Sequence, residues 1–233
     1  MSKPVCVIVG VGPGNGAAFA RKFTANGYRV ALLARNERSF QDLQQTLEDA
    51  QGYVCNAADA QSVTETFNRI AEQLGPVEVL IYNASTRDFA SIDETTPEEF
   101  EEAWRVTTFG CLLAIQQVLP AMRSAKHGSI VMIGATASWK GSAGFVSFSA
   151  AKAAQRSLAQ SVARHVGPEG IHVSYVIVDG LIDLPPVREA LSDQPEEFFM
   201  RAEDIAESVF FLTTQPRSAW TFELDVRPFG EVW

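Results

Sequence analysis

Residues 5–27 read VCVIVGVGPGNGAAFARKFTANG, and this stretch decides the fold. An apolar, β-branched run ends at Gly10, a turn follows with Gly12, Gly14 and Gly16 at alternate positions, and AAFARKFTA then reads as a helix. Glycines at such a turn permit positive φ and let the backbone approach a pyrophosphate, whose charge meets the amides and dipole of the helix start. The strict GxGxxG spacing fails, because counted from Gly10 its last position is Asn15. The form GxxxGxG is met by Gly10, Gly14 and Gly16. Strand, turn and helix in this order predict dinucleotide binding; a tight turn without a ligand is the alternative.

The same alternation continues along the chain. VCVIVG (5–10), RVALLA (29–34), GYVC (52–55), VEVLIY (77–82), SIVMIG (129–134), HVSYVIV (172–178) and FELDV (222–226) are seven candidate strands. They are apolar throughout, as strands covered by helices on both faces must be. Asn36, Asp59 and Thr96-Pro97 are plausible helix starts, and Gly27, Gly75 and Gly167-Pro168 read as helix ends. A repeated β-α pattern makes a parallel sheet with right-handed crossovers. The fold class is therefore α/β, a doubly wound seven-stranded Rossmann sheet, expected to occupy residues 1–233 as one domain. The stretch from Asp179 to about Met200 carries three prolines and several acids and leaves the sixth strand at the end where ligands bind. It reads as a lid, with a solvated surface excursion as the alternative.

Composition narrows the partners. The chain has 233 residues, 46% of them hydrophobic, and a formal net charge of −9, which disfavours a polyanionic backbone and so argues against nucleic acid. Cys6, Cys55 and Cys111 show no CxxC spacing and sit in apolar runs, which reads as buried thiols in a reducing cytoplasm. MSKPVCVIVG lacks the apolar stretch of a signal peptide, and no run reaches the roughly 18 residues of a membrane span, so no targeting or membrane contact is expected. No metal-ligand cluster and no GxSxG elbow occurs, and His127, His165 and His172 read as structural. At the end of the second strand, where an acid would bind ribose hydroxyls and a base a 2′-phosphate, stands Arg35. Charge therefore favours NADP(H) over NAD(H), with a solvated arginine as the plainer reading and Glu37 close by.

From the first strand to the last, the chain resembles the short-chain dehydrogenase/reductase family. Gly10, Gly14 and Gly16 match its TGxxxGxG with Val9 in place of Thr, Cys55-Asn56-Ala57 resembles the segment beside the adenine ring, and Tyr82-Asn83-Ala84-Ser85 looks like NNAG with Asn83 kept. Asp179-Gly180 stands where Pro-Gly is usual, and Leu184 where a Thr often binds the carboxamide. The resemblance implies a cofactor site made of Gly10, Gly14, Gly16, Arg35, Asn56, Ala57, Asn83 and Lys152. It also implies an atypical active site, since YxxxK appears as Phe148-Ser149-Ala150-Ala151-Lys152, Ala135 stands at the serine position and Thr107 at that of the helix asparagine. Of the usual four, Lys152 is retained. A phenyl ring cannot pass a proton, and a positioned acid or base is typically worth about 10²–10⁴ in rate. Thr136, Ser138, Ser147, Ser149, Tyr82 and Lys140 are nearby replacement donors, each more simply read as local structure.

Two functions follow. One is an NADP(H)-dependent oxidoreductase acting on a small molecule with an unorthodox proton supply, suited to a polarised alkene or an already protonated imine; the other is a dinucleotide-binding protein without catalysis, a sensor or partner subunit. SAWTFELDVRPFGEVW at the end carries two of the four tryptophans. By resemblance it implies a homodimer or homotetramer interface, against a tail folded onto its own domain.

Overall fold

The computed structural model describes residues 3–86 and 89–231. The chain runs β1 (Val5–Val9), α1 (Asn15–Ala25), β2 (Arg29–Ala34), α2 (Gln41–Thr46), β3 (Ala50–Val54), α3 (Ala60–Gln73), β4 (Val77–Tyr82), α4 (Pro97–Trp104), α5 (Gly110–Ala125), β5 (Gly128–Ala135), α6 (Val146–Val166) and β6 (Ile171–Val178). It continues through β7 (Leu181–Ile182), α7 (Pro185–Ala190), β8 (Phe199–Met200), α8 (Ala202–Thr213) and β9 (Glu223–Val226). Seven strands form one sheet in the order β3-β2-β1-β4-β5-β6-β9, and every neighbouring pair is parallel. The seven expected strands are all present; 29–34 and 77–82 keep their expected bounds and the others differ by one or two residues at an end.

Burial explains why these runs are apolar on both sides. Val5, Val7 and Val9 pack into one core with Phe67 of α3, Ile115 of α5 and Ala159 of α6. Cys6 and Ile8, pointing the other way, join Phe19 and Phe23 of α1 and Val209 of α8. Alternate residues of one strand thus serve two cores, the reason period-2 polarity is absent. Cys6, Cys55 and Cys111 are all buried free thiols.

Helix starts follow local chemistry. Asp59 caps α3 by accepting from the Ser62 amide at 2.6 Å. Thr96 and Glu99 make a reciprocal capping box with Pro97 at the first helical position of α4. Asn36 instead opens a 3₁₀ turn, Glu37–Ser39, with its side chain accepting from the Ser39 hydroxyl. Between α4 and α5 the helix widens into a π turn, Arg105–Phe109.

The segment after β6 has more structure than the sequence suggested. β7 pairs with β8 in a two-stranded ribbon, and Arg188 grips Asp183 through two hydrogen bonds, at 2.6 and 2.9 Å. Leu184 and Ile182 reach within 3.5 and 3.6 Å of where a side chain on Gly14 would begin, so this segment lies over the glycine turn. Farther on, Trp220 stacks on His172 with centroids 4.8 Å apart, and Phe222 packs on the core, which seats this part of the tail on its own chain. Phe229 is 97% exposed, and Trp233 lies outside the described residues.

Strand order reverses between β1 and β4, and the turn after β1 is clamped there. Asn83 donates its backbone amide to Val9 at 2.8 Å and its side-chain amide to the Gly10 carbonyl at 2.7 Å. Gly10 adopts φ +92°, and a Cβ on it would lie 2.5 Å from the Ala84 nitrogen. Gly10→Ala is expected to destabilise the protein by about 2–4 kcal/mol, backbone strain plus a clash that only main-chain movement relieves. Urea denaturation checks this; an unchanged midpoint would contradict the clamp.

Candidate functional site

A cavity of about 920 Å³ opens beyond the carboxyl ends of β1, β2, β4, β5 and β6, roofed by the segment that carries β7 and α7. This is the crevice that a reversal of strand order creates in an open parallel sheet. Every sequence-predicted site residue except Thr107 lines it.

At one end lies the glycine turn. Gly16 is required by contact, since a Cβ there would sit 2.7 Å from the Val11 Cα. No side chain caps α1, and its first amide bonds are those of Ala17 and Ala18 to the Gly12 and Gly14 carbonyls. The amides of Gly14, Asn15 and Gly16 therefore have no acceptor among the described residues, and a side chain on Gly12 would meet open space. Asn15 is 6% exposed, yet its Oδ1 has no hydrogen-bond partner among the described residues. An uncapped helix start beside an orphaned amide oxygen is chemically unfinished, and bound phosphate with its hydration would complete it.

Farther along this end, Arg35 is exposed, with no hydrogen bond or ion pair among the described residues, and Asn36 and Ser39 stand next to it on the cavity wall. Asn56 closes a turn by accepting from the Ala58 amide at 3.1 Å, which presents Cys55-Asn56-Ala57 as a cavity edge. Although the chain carries −9 overall, the charged residues that line the cavity among the described residues are Arg35, Lys140 and Lys152 against Asp179 and Glu231. Asp179 is already engaged, accepting from the Thr136 hydroxyl and paired with Arg227.

The other end is aromatic. Phe148, one turn before Lys152 on α6, is half-buried beside Phe145, whose ring in turn meets Phe89 edge-on with centroids 5.0 Å apart. Lys152 is 3% exposed; its Nζ donates to the Ile133 carbonyl at 2.7 Å and to Gln155 Oε1 at 3.3 Å, and lies 5.9 Å from the Phe148 centroid. Burial pulls its pKa down to about 8, because desolvation penalises the ammonium and no carboxylate among the described residues stands close enough to offset it.

The nearby donors named from sequence are largely committed. Tyr82 donates to the Val106 carbonyl, Thr136 to Asp179, and Ser138 to the Ala135 carbonyl. Ser149 keeps a buried hydroxyl without a partner among the described residues and borders the cavity, whereas Ser147, equally unpartnered, does not. Thr107 sits in the π turn behind the wall, fully buried, its hydroxyl 3.2 Å from that of Ser85. Sequence reasoning missed Gln155 and Asn15. A polar residue three positions beyond Lys152 on an otherwise small and apolar helix face was the available signal for the first; the second was counted only as a spacing failure.

A lysine whose folded pKa lies below its ordinary 10.5 weakens the fold while charged. The sign follows from linkage: between about pH 8 and 10.5 the unfolded chain binds the extra proton, so this cost is relieved as pH rises through that window. Lys152→Met is expected to be more stable than the parent at pH 7, with the difference shrinking from pH 8 to 10.5. Thermal denaturation of both proteins across that range reads it, and a pH-independent difference would be inconsistent with a buried ammonium.

Comparison with known proteins agrees with this geometry. Residues 4–195 match the short chain dehydrogenase family. An uncharacterized oxidoreductase of Staphylococcus saprophyticus is 26% identical over 229 residues, covering 96% of this chain and 97% of its own. The 3-oxoacyl-(acyl-carrier-protein) reductase of Escherichia coli is 26% identical over 228 residues, covering 94% and 93%. Among solved structures, a short-chain dehydrogenase from Rhodopseudomonas palustris superposes with a TM-score of 0.82 at 29% identity, covering 97% of this chain and 99% of that one. A metagenomic short-chain oxidoreductase in complex with NADP gives 0.85 at 25% identity, covering 99% of each. With the glycine turn, the parallel sheet and the match over most of its length in agreement, this chain belongs to the short-chain dehydrogenase family.

Proposed function

We propose that this protein is an NADP(H)-binding oxidoreductase whose active site has lost the family's proton-transferring phenol and its neighbouring serine. The observation that carries the cofactor reading is the start of α1, where the amides of Gly14, Asn15 and Gly16 stand without acceptors at the cavity edge. Such a helix start accommodates a pyrophosphate without further devices. Arg35, with Ser39 and Asn36 beside it, offers a cationic end for a 2′-phosphate, and the NADP complex of the metagenomic relative supports the same choice. Asn56 and Ala57 border the adenine position. Asn83 holds the turn rather than the ligand, through its bond to the Gly10 carbonyl. Lys152 is the group available to the nicotinamide ribose.

The bound nicotinamide supplies hydride chemistry; the chain's own residues set what can accompany it. Phe148 and Ala135 present no hydrogen to a substrate oxygen, and loss of one oxyanion-type donor costs roughly 3 kcal/mol. Ordinary ketone reduction is disfavoured, because the alkoxide it makes needs an acid at hand. A polarised alkene or a protonated imine does not impose that demand, and the Phe89, Phe145 and Phe148 rings suit an apolar substrate. The segment 179–200 acts as the lid, Leu184 and Ile182 closing over the turn. A homodimer or homotetramer is part of the same reading.

Fluorescence titration with NADPH and NADH tests the cofactor. NADPH is expected to bind more tightly, and Arg35→Asp to weaken it by about tenfold or more, the loss of a charge-assisted contact, while NADH affinity holds or improves. Equal affinities in the parent would overturn the assignment of Arg35. Consumption of NADPH is then followed with ketones, enones and imines. Turnover tied to one class identifies the substrate, and binding with no turnover would favour a non-catalytic dinucleotide-binding subunit.

Restoring the lost groups is the sharper probe. The double variant Phe148→Tyr with Ala135→Ser is expected to gain ketone reduction by about 10²-fold or more over the parent, the lower range for a positioned acid. A variant that binds NADPH yet stays inert with ketones would mean that the pocket has diverged around the missing groups.

A further inference from the structure

Behind the cavity wall, a polar network sits where the surrounding residues are small or apolar. Gln155 is fully buried on α6, one turn beyond Lys152. Its Nε2 donates to the Thr107 carbonyl at 3.1 Å, which fixes the orientation of the amide, since only the nitrogen can face a carbonyl. Oε1 therefore faces the other way, where it accepts from Lys152 Nζ at 3.3 Å and from the Tyr175 hydroxyl at 3.5 Å. The single hydroxyl hydrogen of Tyr175 is shared between that oxygen and the Lys152 carbonyl, which lies at 3.2 Å. Room for the Tyr175 ring depends on Gly134, where a Cβ would lie 2.3 Å from Tyr175 Cε1. The Thr107 carbonyl lies in the π turn, the kind of helix irregularity that leaves backbone acceptors open.

We propose that Gln155 is a positioning residue for Lys152: its amide ties the ammonium to the Thr107 carbonyl and, with the Ile133 carbonyl, directs the remaining N–H into the cavity. This rests on the reading of Lys152 as the ribose-binding group. An ammonium has three hydrogens and a stem of four rotatable bonds. Two of those hydrogens are held from behind, by β5 and by α6 itself, and the third is left for the cavity. The Phe148 ring is a weak partner at 5.9 Å, so without Gln155 the Nζ would be located by the Ile133 carbonyl alone.

The clamp is neutral by construction. The groups facing Lys152 from the packed elements are the Cys111 thiol on α5, whose pKa burial raises to about 12, and the Tyr175 phenol on β6, whose pKa burial also raises. Both are uncharged near neutral pH, and no carboxylate faces the ammonium among the described residues. Carbonyl dipoles therefore carry the charge, and removing one of them lowers the lysine pKa.

Gln155→Met tests this, because it keeps the volume while removing the amide's hydrogen bonds to Thr107, Lys152 and Tyr175. In protein labelled with ¹³C at lysine Cε, the resonance lost in Lys152→Met identifies Lys152, and its titration is followed by NMR. The pKa is expected to fall by about one unit in Gln155→Met, and NADPH affinity to weaken by about tenfold, as for a lost hydrogen bond to a charged group. Gln155→Glu places a carboxylate at the same position and should instead raise the Lys152 pKa while still orphaning the Thr107 carbonyl. A Gln155 that only packs would leave the lysine titration and NADPH affinity unmoved in Gln155→Met, and that result overturns the proposal. Should Gln155→Met fail to fold, a Lys152 pKa in Gln155→Glu that does not rise does the same. If the parent binds neither NADPH nor NADH, the cofactor reading fails, and the lysine titrations still decide whether Gln155 holds Lys152.

Discussion

The contact between the turn after β1 and the end of β4 is the constraint on which the crevice depends. Parallel neighbours that lead to opposite edges of the sheet leave a gap at their carboxyl ends, and here the gap keeps its shape because two backbones touch. Asn83 binds both Val9 and Gly10, and no side chain fits on Gly10. With the turn pinned from β4, the start of α1 is aimed at the cavity, and its amides stay uncapped because Gly14 at the cap position has no side chain to offer them.

The opposite end of the cavity solves a different problem. An exposed arginine such as Arg35 delivers positive potential at little cost, since it remains solvated. A lysine buried to 3% exposure does not. Its charge is held by the Ile133 and Gln155 carbonyls in a low-dielectric setting, and desolvation still draws its pKa down to about 8. Retaining such a group against its desolvation penalty argues for a ligand role, because a charge kept only for structure would be more stable on the surface.

Much of this was legible from residue order. The apolar runs, the glycine turn and the caps at Asp59 and Thr96 are local signals, and each sits in the structure where its chemistry requires. The ribbon of β7 and β8 was not, since two-residue strands carry no periodicity and owe their pairing to the Asp183–Arg188 grip and packing over Gly14. Thr107 was read from the resemblance as standing at the position of the helix asparagine; the π turn carries it behind the cavity wall, where its carbonyl accepts from Gln155 of α6. Gln155 left only its polarity beside Lys152 as a signal, because its partners come from a π turn and a distant strand that no spacing rule connects.

The phenyl ring of Phe148 and the uncharged partners of Lys152 belong together energetically. A ring face at 5.9 Å is near the outer limit for a cation–π contact, worth roughly 0.5–1 kcal/mol when solvated, whereas hydrogen bonds to a charged group contribute about 1.5–3 kcal/mol each. Phe148 alone could not keep the Lys152 ammonium in register with the cavity. Two carbonyls from behind can, and they do so without donating a hydrogen or adding a charge. The position of the cation is thereby separated from the supply of a proton, two tasks that a phenol beside a lysine would perform jointly. A site built this way keeps its electrostatic hold on a ligand while leaving proton delivery to the substrate, to solvent or to a cavity-edge hydroxyl without a partner among the described residues, such as those of Ser149 and Thr86.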